Sequence, residues 1–238
     1  MSITKLSRTA VELSLNCERC FVLQYKHRIS LPGLPFTLNS AVDNLCKNEF
    51  DKYRKEKKPH PFFEKLELGN TVPFDHPEMD NWRNFRKGAY YTDHDKGYCF
   101  GGAVDDLWQK EDGSLIVSDV KATSKNIFNW EDTYLKWDYP KAYKRQLEMY
   151  QWVFRKLGFK VSNTGVLVYF NGLKNAPTFE GSLNFETHLI ELECNDEWVE
   201  DAILHAKELL TQKSLPKASD KCDKCNYLKK RWQLMEAT

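Results

Sequence analysis

Apolar positions along this chain fall into two rhythms. Between Lys141 and Leu157, the residues Tyr143, Leu147, Tyr150, Val153, Phe154 and Leu157 recur every three or four positions, which is the stripe of an amphipathic helix. Gly158 follows, where a helix C-terminus favours a left-handed residue. Gln146 and Tyr150, four apart, share one face of it. The same spacing over Ala41, Val42, Leu45, Cys46, Phe50 and Tyr53 predicts a helix from an Asn39 cap to about Lys57, stopped by Pro59 and Pro61. Two further helices are expected. One runs from Leu6 to Arg28 with Ser7 as its cap and ends before Pro32, Gly33 and Pro35; the other, a last helix from Glu197 to Gln212, is capped by Asn195 and turns Trp198, Ile203, Ala206 and Leu209 inward.

The second rhythm belongs to strands. Lys87 to Thr92, Val161 to Phe170 and His188 to Glu193 are rich in aromatic and β-branched residues and are bounded by turn-forming stretches. Tyr98 to Trp108 and Leu115 to Ser124 form two apolar arms around Lys110-Glu111-Asp112-Gly113-Ser114, the pattern of a β-hairpin. Residues 62–84 show no clear period and read as loop with a short helix near Met79 to Phe85. Strands interspersed with helices imply an α/β fold, a central mixed β-sheet flanked by helices. With 238 residues, 41% of them hydrophobic, the chain can build one substantial core. A single domain, 1–238, is therefore expected, with an N-terminal helical segment 1–60 and a cysteine-bearing C-terminal segment 214–238.

Charge changes this picture at the hairpin. Asp105, Asp119 and Lys121 interrupt strand segments where burial alone would place Val or Ile, so they must be paired or must hold a metal. Asp105 and Asp119 are equidistant from Asp112. A three-residue loop, Glu111 to Gly113 with Gly113 left-handed, sets them opposite each other on one face; a two-residue loop at Asp112-Gly113 would send them to opposite faces. Lys121, two residues past Asp119, points to the same side. Two carboxylates and an ammonium around one hard cation suit phosphodiester hydrolysis, where the metal acidifies a bound water and the ammonium offsets charge on the phosphate. The blander reading of the same charges is a buried ion-pair network, Asp119 with Lys121 or an arginine.

The run Gly102-Ala-Val-Asp105, then Asp119-Val-Lys121, then Gln146-Leu-Glu-Met-Tyr150 resembles the G-x-[IV]-D, D-x-K and Q-x-x-x-Y motifs of the PD-(D/E)XK nuclease superfamily, in its RecB-like branch. The resemblance implies a restriction-endonuclease-like core and a metal-dependent deoxyribonuclease of exonuclease type. Asp105 and Asp119 would then be ligands of Mg²⁺ or Mn²⁺, with the Val120 carbonyl as a third. Lys121 would be the catalytic lysine, and Gln146 and Tyr150 would position substrate or water. Many RecB-like enzymes add a histidine from an N-terminal helix. No histidine lies between Asn39 and Lys55, and Asp43 stands about where it would fall as an oxygen ligand. The implied partners are DNA, single-stranded or end-containing, and a helicase-like or integrase-like protein. A non-cleaving nucleic-acid-binding or scaffolding subunit is the alternative on this fold; the presence of all three charged motif residues disfavours it.

Two aromatic or basic stretches leave their readings open. Asn126 to Pro140 carries Trp130, Tyr134, Trp137 and Tyr139, as a packed surface segment or as a flap that stacks on bases. Lys141, Lys144 and Arg145 form a basic patch, either a solvated first turn or a contact to phosphates. The formal net charge of +1 argues against a protein that coats nucleic acid by bulk electrostatics. No apolar run reaches membrane-spanning length and the first residues lack the apolar core of a signal peptide, so a cytoplasmic protein without a membrane partner is expected.

Seven cysteines in such a chain favour metal binding or burial over disulfides. Cys17-x-x-Cys20 and Cys222-x-x-Cys225 each have the spacing with which two thiolates grip one metal, and together they complete a set of four that joins the two ends of the chain. Cys46, Cys99 and Cys194 read as ordinary buried residues. Spacing leaves Zn²⁺ and a [4Fe–4S] cluster open. The RecB-like iron–sulfur nucleases, of CRISPR adaptation and of AddB-type repair, carry one cysteine near the N-terminus and three near the C-terminus, and similarity to them favours the cluster. Here the division is two and two, and Arg231 occupies the place of a last cysteine. Either metal would be structural, because four thiolates leave no open position for substrate.

Overall fold

The apolar run Leu115-Ile116-Val117 opens the strand on which the larger sheet is built. In the computed structural model, which describes residues 3–30, 33 and 37–236, the elements follow the order β1 (Thr4–Ser7), α1 (Arg8–Asn16), α2 (Glu18–Tyr25), α3 (Thr37–Glu56), α4 (Pro61–Lys65), β2 (Val72–Pro73), α5 (Met79–Arg83), β3 (Ala89–Asp93), β4 (Tyr98–Gly102), β5 (Asp106–Gln109), β6 (Leu115–Thr123), α6 (Trp130–Lys136), α7 (Tyr139–Lys156), β7 (Val161–Gly172), β8 (Phe185–Glu193), α8 (Val199–Thr211) and α9 (Asp223–Glu236). Five strands are ordered β2-β5-β6-β7-β8, and three more β1-β4-β3. In the larger sheet β6 and β7 are parallel and the other pairs antiparallel, so the sheet is mixed. The parallel pair needs a crossover, which α6 and α7 supply. Its strands are buried on both faces, which is why Leu115 to Val117 and Val166 to Val168 read as unbroken apolar runs.

The chain divides into two compact units, one made of Met1–Gly33, Thr92–Phe100 and Trp198–Thr238, the other of Leu34–Tyr91 and Gly101–Glu197. In the second unit, Cys46 and Phe50 of α3 and Phe63 of α4 pack with Trp108, Ile116, Val120, Val166 and Val168 on one face of the five-stranded sheet. On the opposite face, α7 lies so close that a Cβ at Gly165 of β7 would meet Leu147 at 3.0 Å. In the first unit, α8 packs against α1 and α2. Among the described residues no helix is long and apolar enough to cross a membrane.

Several expectations are corrected. Leu6 to Arg28 is not one helix: Leu6 belongs to β1, Ser7 caps α1 by accepting from Ala10 N–H at 3.1 Å, and the extended Cys17 (φ −162°) separates α1 from α2. Pro32 and Pro35 lie outside the described residues. The second helix starts at Thr37, two residues before Asn39. The long first hairpin arm is two strands, because the chain leaves the β ladder at Ala103 to Asp105. Gly101 permits the close approach in β4, where a Cβ would come within 1.9 Å of the Ala89 carbonyl oxygen. Residues 62–84 contain β2 and the short helices α4 and α5. Asn195 does not cap α8; its side chain accepts from Glu197 N–H at 2.9 Å, and the helix begins after Trp198. Helix α9 follows it, so α8 is not the last helix. Cys46 and Cys194 are buried, while Cys99 is only half-buried.

Candidate metal and catalytic centre

Loop chemistry sets the geometry of the hairpin. Lys110 N–H donates to Ser114 O and Gly113 N–H to Lys110 O, both at 2.9 Å, and Gly113 takes φ +78°, which makes Glu111 to Gly113 a three-residue loop. The ladder then pairs Gln109 with Leu115 and ends with Asp106 opposite Ser118. Asp105 and Asp119 each lie one residue beyond that last pair. Asp105 stands just before β5 begins, and its Oδ2 accepts from Val120 N–H at 2.9 Å. That hydrogen bond ties the bend to the central strand. Val120 thus serves the site with its N–H, while its side chain belongs to the core.

Asp119 is 1% exposed. Its Oδ1 accepts from Gln146 Nε2 at 2.5 Å, and its Oδ2 pairs with Lys121, which shares its face of β6. Lys121 reaches Gln146 Oε1 at 3.5 Å and lies 4.7 Å from the centre of the Tyr143 ring. Tyr150, one turn past Gln146, donates from its hydroxyl to the Ala103 carbonyl. It therefore braces the bend before Asp105.

Helix α3 contributes the remaining charges. Lys47 Nζ lies 2.7 Å from Asp43 Oδ2 and 3.2 Å from Asp105 Oδ1, while Asp43 Oδ1 is buried without a hydrogen-bond partner. Burial and the neighbouring Asp105 push the Asp43 carboxyl up, against the pull of Lys47. Burial also works against ionised Asp105, but Lys47, Lys121 and the Val120 N–H outweigh it and hold that carboxyl low. Lys47 and Lys121 lose solvation too, yet the carboxylates raise both above the ordinary lysine value. Both are cations, not bases, at neutral pH.

Lys47 thus joins Asp43 to Asp105, and Asp119, Lys121 and Gln146 join one another, with the charge of Lys121 felt by Asp105 and Asp43 and with Tyr150 bracing the bend. Sequence reasoning missed Lys47 and Tyr143. Lys47 carried a signal, since it follows Asp43 by four residues on a helix. Nor did it weigh Asp106 against its neighbour. Asp106 is fully buried and bound to Arg54 at 2.5 Å, with Arg83 at 3.6 Å. The two adjacent aspartates therefore do different things: Asp106 anchors β5 to α3, and Asp105 faces the charged cluster.

A model of the PD-(D/E)XK nuclease superfamily matches residues 38–229. The chain belongs to the PD-(D/E)XK nuclease superfamily. The matched segment contains every residue of the charged cluster. Two solved structures are similar at low identity. The protein SSO0001 is 16% identical with a TM-score of 0.40, the match covering 90% of this chain and 80% of that one. A protein from Eubacterium rectale, named as a candidate exonuclease, is 13% identical with a TM-score of 0.45, over 94% and 87% of the two chains. No curated protein matches the sequence.

PD-(D/E)XK nucleases use divalent metals, and the donor set here fits one. The available donors are hard carboxylate oxygens, and the unpartnered, buried Asp43 Oδ1 is an atom that a cation would satisfy. The cysteines form a second centre. Among the described residues, Cys17, Cys20, Cys222 and Cys225 are the one group of at least three His, Cys, Asp or Glu ligand atoms within 4.8 Å of each other. Cys20 Sγ lies 3.5 Å from Cys225 and 3.6 Å from Cys222, and Cys17 lies 3.8 Å from Cys225. The break at Cys17 and the turn before α9, where Cys222 N–H donates to Ser219 O at 2.9 Å, aim the thiols at one point. Burial disfavours the Cys17 thiolate, but backbone hydrogen bonds to Ser219 and Cys20 outweigh it and bring this thiol to about 7.

Proposed function

We propose that the chain is a divalent-metal-dependent deoxyribonuclease, of the RecB-like exonuclease type, that hydrolyses phosphodiester bonds of single-stranded or end-containing DNA. The observation that carries this reading is Asp119 ion-paired with Lys121 on β6 while Asp105 accepts from the N–H of Val120 between them, in a chain of a nuclease superfamily. Asp105, Asp119 and Asp43 would hold Mg²⁺ or Mn²⁺, with the Val120 carbonyl as a further oxygen donor. When bound, that ion polarises the phosphate and acidifies a water.

The remaining work falls to the side chains. Lys121, kept protonated by Asp119 and Asp105, offsets negative charge that develops on the phosphoryl oxygens. Gln146 spans Asp119 and Lys121 with the two ends of its amide and so fixes their mutual orientation. Tyr150 holds the 103–105 bend that presents Asp105. Gln146 and Tyr150 are positioning residues.

The cysteine centre is read as structural. RecB-like resemblance supports a [4Fe–4S] cluster. The sulfur spacing supports a single four-coordinate ion such as Zn²⁺, because a tetrahedron with metal–sulfur bonds of about 2.3 Å has edges of about 3.8 Å. In a cubane cluster each thiolate binds a different iron, which spreads the sulfurs further apart. The spacing favours zinc, and a brown protein with charge-transfer absorbance would establish the cluster instead.

The nuclease reading is tested with labelled single- and double-stranded DNA in Mg²⁺, Mn²⁺ or EDTA, beside an Asp119→Ala variant. Cleavage is expected with either metal and in neither control. Cleavage that survives both EDTA and the substitution ends the proposed mechanism.

A further inference from the structure

The geometry points to Lys47 as a built-in cation of the acidic centre: it fills the place between Asp43 and Asp105 that a second metal ion would take, and so restricts the site to one divalent ion. This deepens the nuclease reading and rests on it.

The argument begins with position. Asp43, Lys47, Asp51 and Arg54 recur at helical spacing along α3, on the side that meets β5. The Arg54–Asp106 pair fixes the register between that helix and the strand, and Arg83 adds a second contact to Asp51 and Asp106. With α3 held there, Lys47 is delivered between a carboxylate of its own helix and one at the start of β5, at 2.7 and 3.2 Å. Its side chain is 17% exposed, less than that of either acid it bridges. A solvated surface lysine would not be so enclosed.

Charge balance gives the placement a meaning. The charges are two ion-paired sets, Asp43–Lys47–Asp105 and Asp119–Lys121, in which Lys121 also acts on Asp105 and Asp43: three carboxylates and two ammoniums in all. They sum to one net negative charge. One divalent ion reverses that to one net positive charge, which the single negative charge of a phosphodiester cancels. Without Lys47 the cluster would carry two net negative charges, which one divalent ion only neutralises; the charge of the phosphodiester would then be unmatched and would favour a second divalent ion, the arrangement of two-metal phosphodiesterases. Lys47 also opposes the first ion, because its positive charge stands among the same carboxylates.

The test is a Mn²⁺ titration of the full chain, counted by the electron paramagnetic resonance of free Mn²⁺, on wild type, Lys47→Met, Lys47→Arg and Asp119→Asn. The inference expects one Mn²⁺ in wild type that Asp119→Asn removes. Lys47→Met should bind its first ion roughly tenfold or more tightly, as expected for loss of a unit charge a few ångströms away, and should accept a second. Lys47→Arg keeps the charge and should keep the single site, which separates charge from folding damage. Two ions in wild type, both lost in Asp119→Asn, would overturn the inference and leave the nuclease reading intact. Unchanged or weaker affinity in a folded Lys47→Met protein would overturn it as well. No Mn²⁺ bound by any of the four would remove the nuclease reading itself and the inference with it.

Discussion

The oxygen centre and the sulfur centre of this protein are built in opposite ways. The acids and lysines are carried by α3, by the bend before β5, by β6 and by α7, all elements with buried residues of their own. Their framework is held by apolar packing, strand pairing and the Arg54–Asp106 ion pair. Two of the four thiols sit on or beside α9, a helix with no buried residue, whose Trp232 is 63% exposed. Side-chain burial does little to hold α9, and Cys20 of α2 meets Cys222 and Cys225 at its start. In one centre the fold makes the site; in the other the site makes part of the fold. A metal at the first should therefore matter to reaction and at the second to stability.

That contrast is most exposed to refutation at the cysteines. Cys20→Ser should release the metal and lower thermal stability by several kcal/mol, since binding energy at a structural thiolate site is folding energy. Metal analysis and a melting curve check it; a metal-free protein that melts with wild type would erase the distinction. Next in size, Arg54→Met leaves the fully buried Asp106 without its closest counter-charge and should cost about 3–5 kcal/mol in denaturant unfolding. Adding Asp106→Leu should recover much of that loss, and chelators of Mg²⁺ should leave the transition in place. An EDTA-induced loss as large as that from Arg54→Met would mean that the oxygen centre, too, is held together by its metal.

Smaller effects sharpen the comparison. Gln146→Ala should lower cleavage roughly 10–100-fold, as removal of an outer-shell partner does, with the melting temperature close to wild type. The converse result, a destabilised protein with full turnover, would place Gln146 in the scaffold. The smallest effect concerns His60, whose Nδ1 accepts from Phe62 N–H at 3.1 Å while Nε2–H donates to Glu49 at 3.1 Å. Burial lowers its pKa below 6.5, against the pull of Glu49. The unfolded chain then binds a proton that the folded chain refuses, so stability should fall as pH drops below about 6.5. His60→Gln should flatten that slope, and an identical slope in the variant would assign it to other groups.

Legibility followed the range of the interaction. The α7 stripe, the hairpin and the loop type at Gly113 were readable because each is settled within a few residues by periodicity or by turn chemistry. Asp105, Asp119 and Lys121 stood out because they break those local patterns, and Gln146 only through the resemblance of its motif to the nuclease family. Residues 62–84 were not, since Phe63 and Phe74 are buried by tertiary contacts that leave no period in the sequence. Helix α9 was missed because it buries no residue and so carries no apolar stripe, and the break at Cys17 because one extended residue leaves no mark on a helical pattern.

By itself, the sequence determined which residues are chemically unusual, and in what order: acids and a lysine inside strands, a glutamine and a tyrosine on one helix face, cysteine pairs near each end. Only the tertiary structure decided that Asp105 and not Asp106 faces the site, that Lys47 stands between Asp43 and Asp105, and that four thiols share one point. Local pattern records whether a position is buried. Which charge meets which across distant elements is fixed by packing, where the cost of an unpaired buried charge selects the partner.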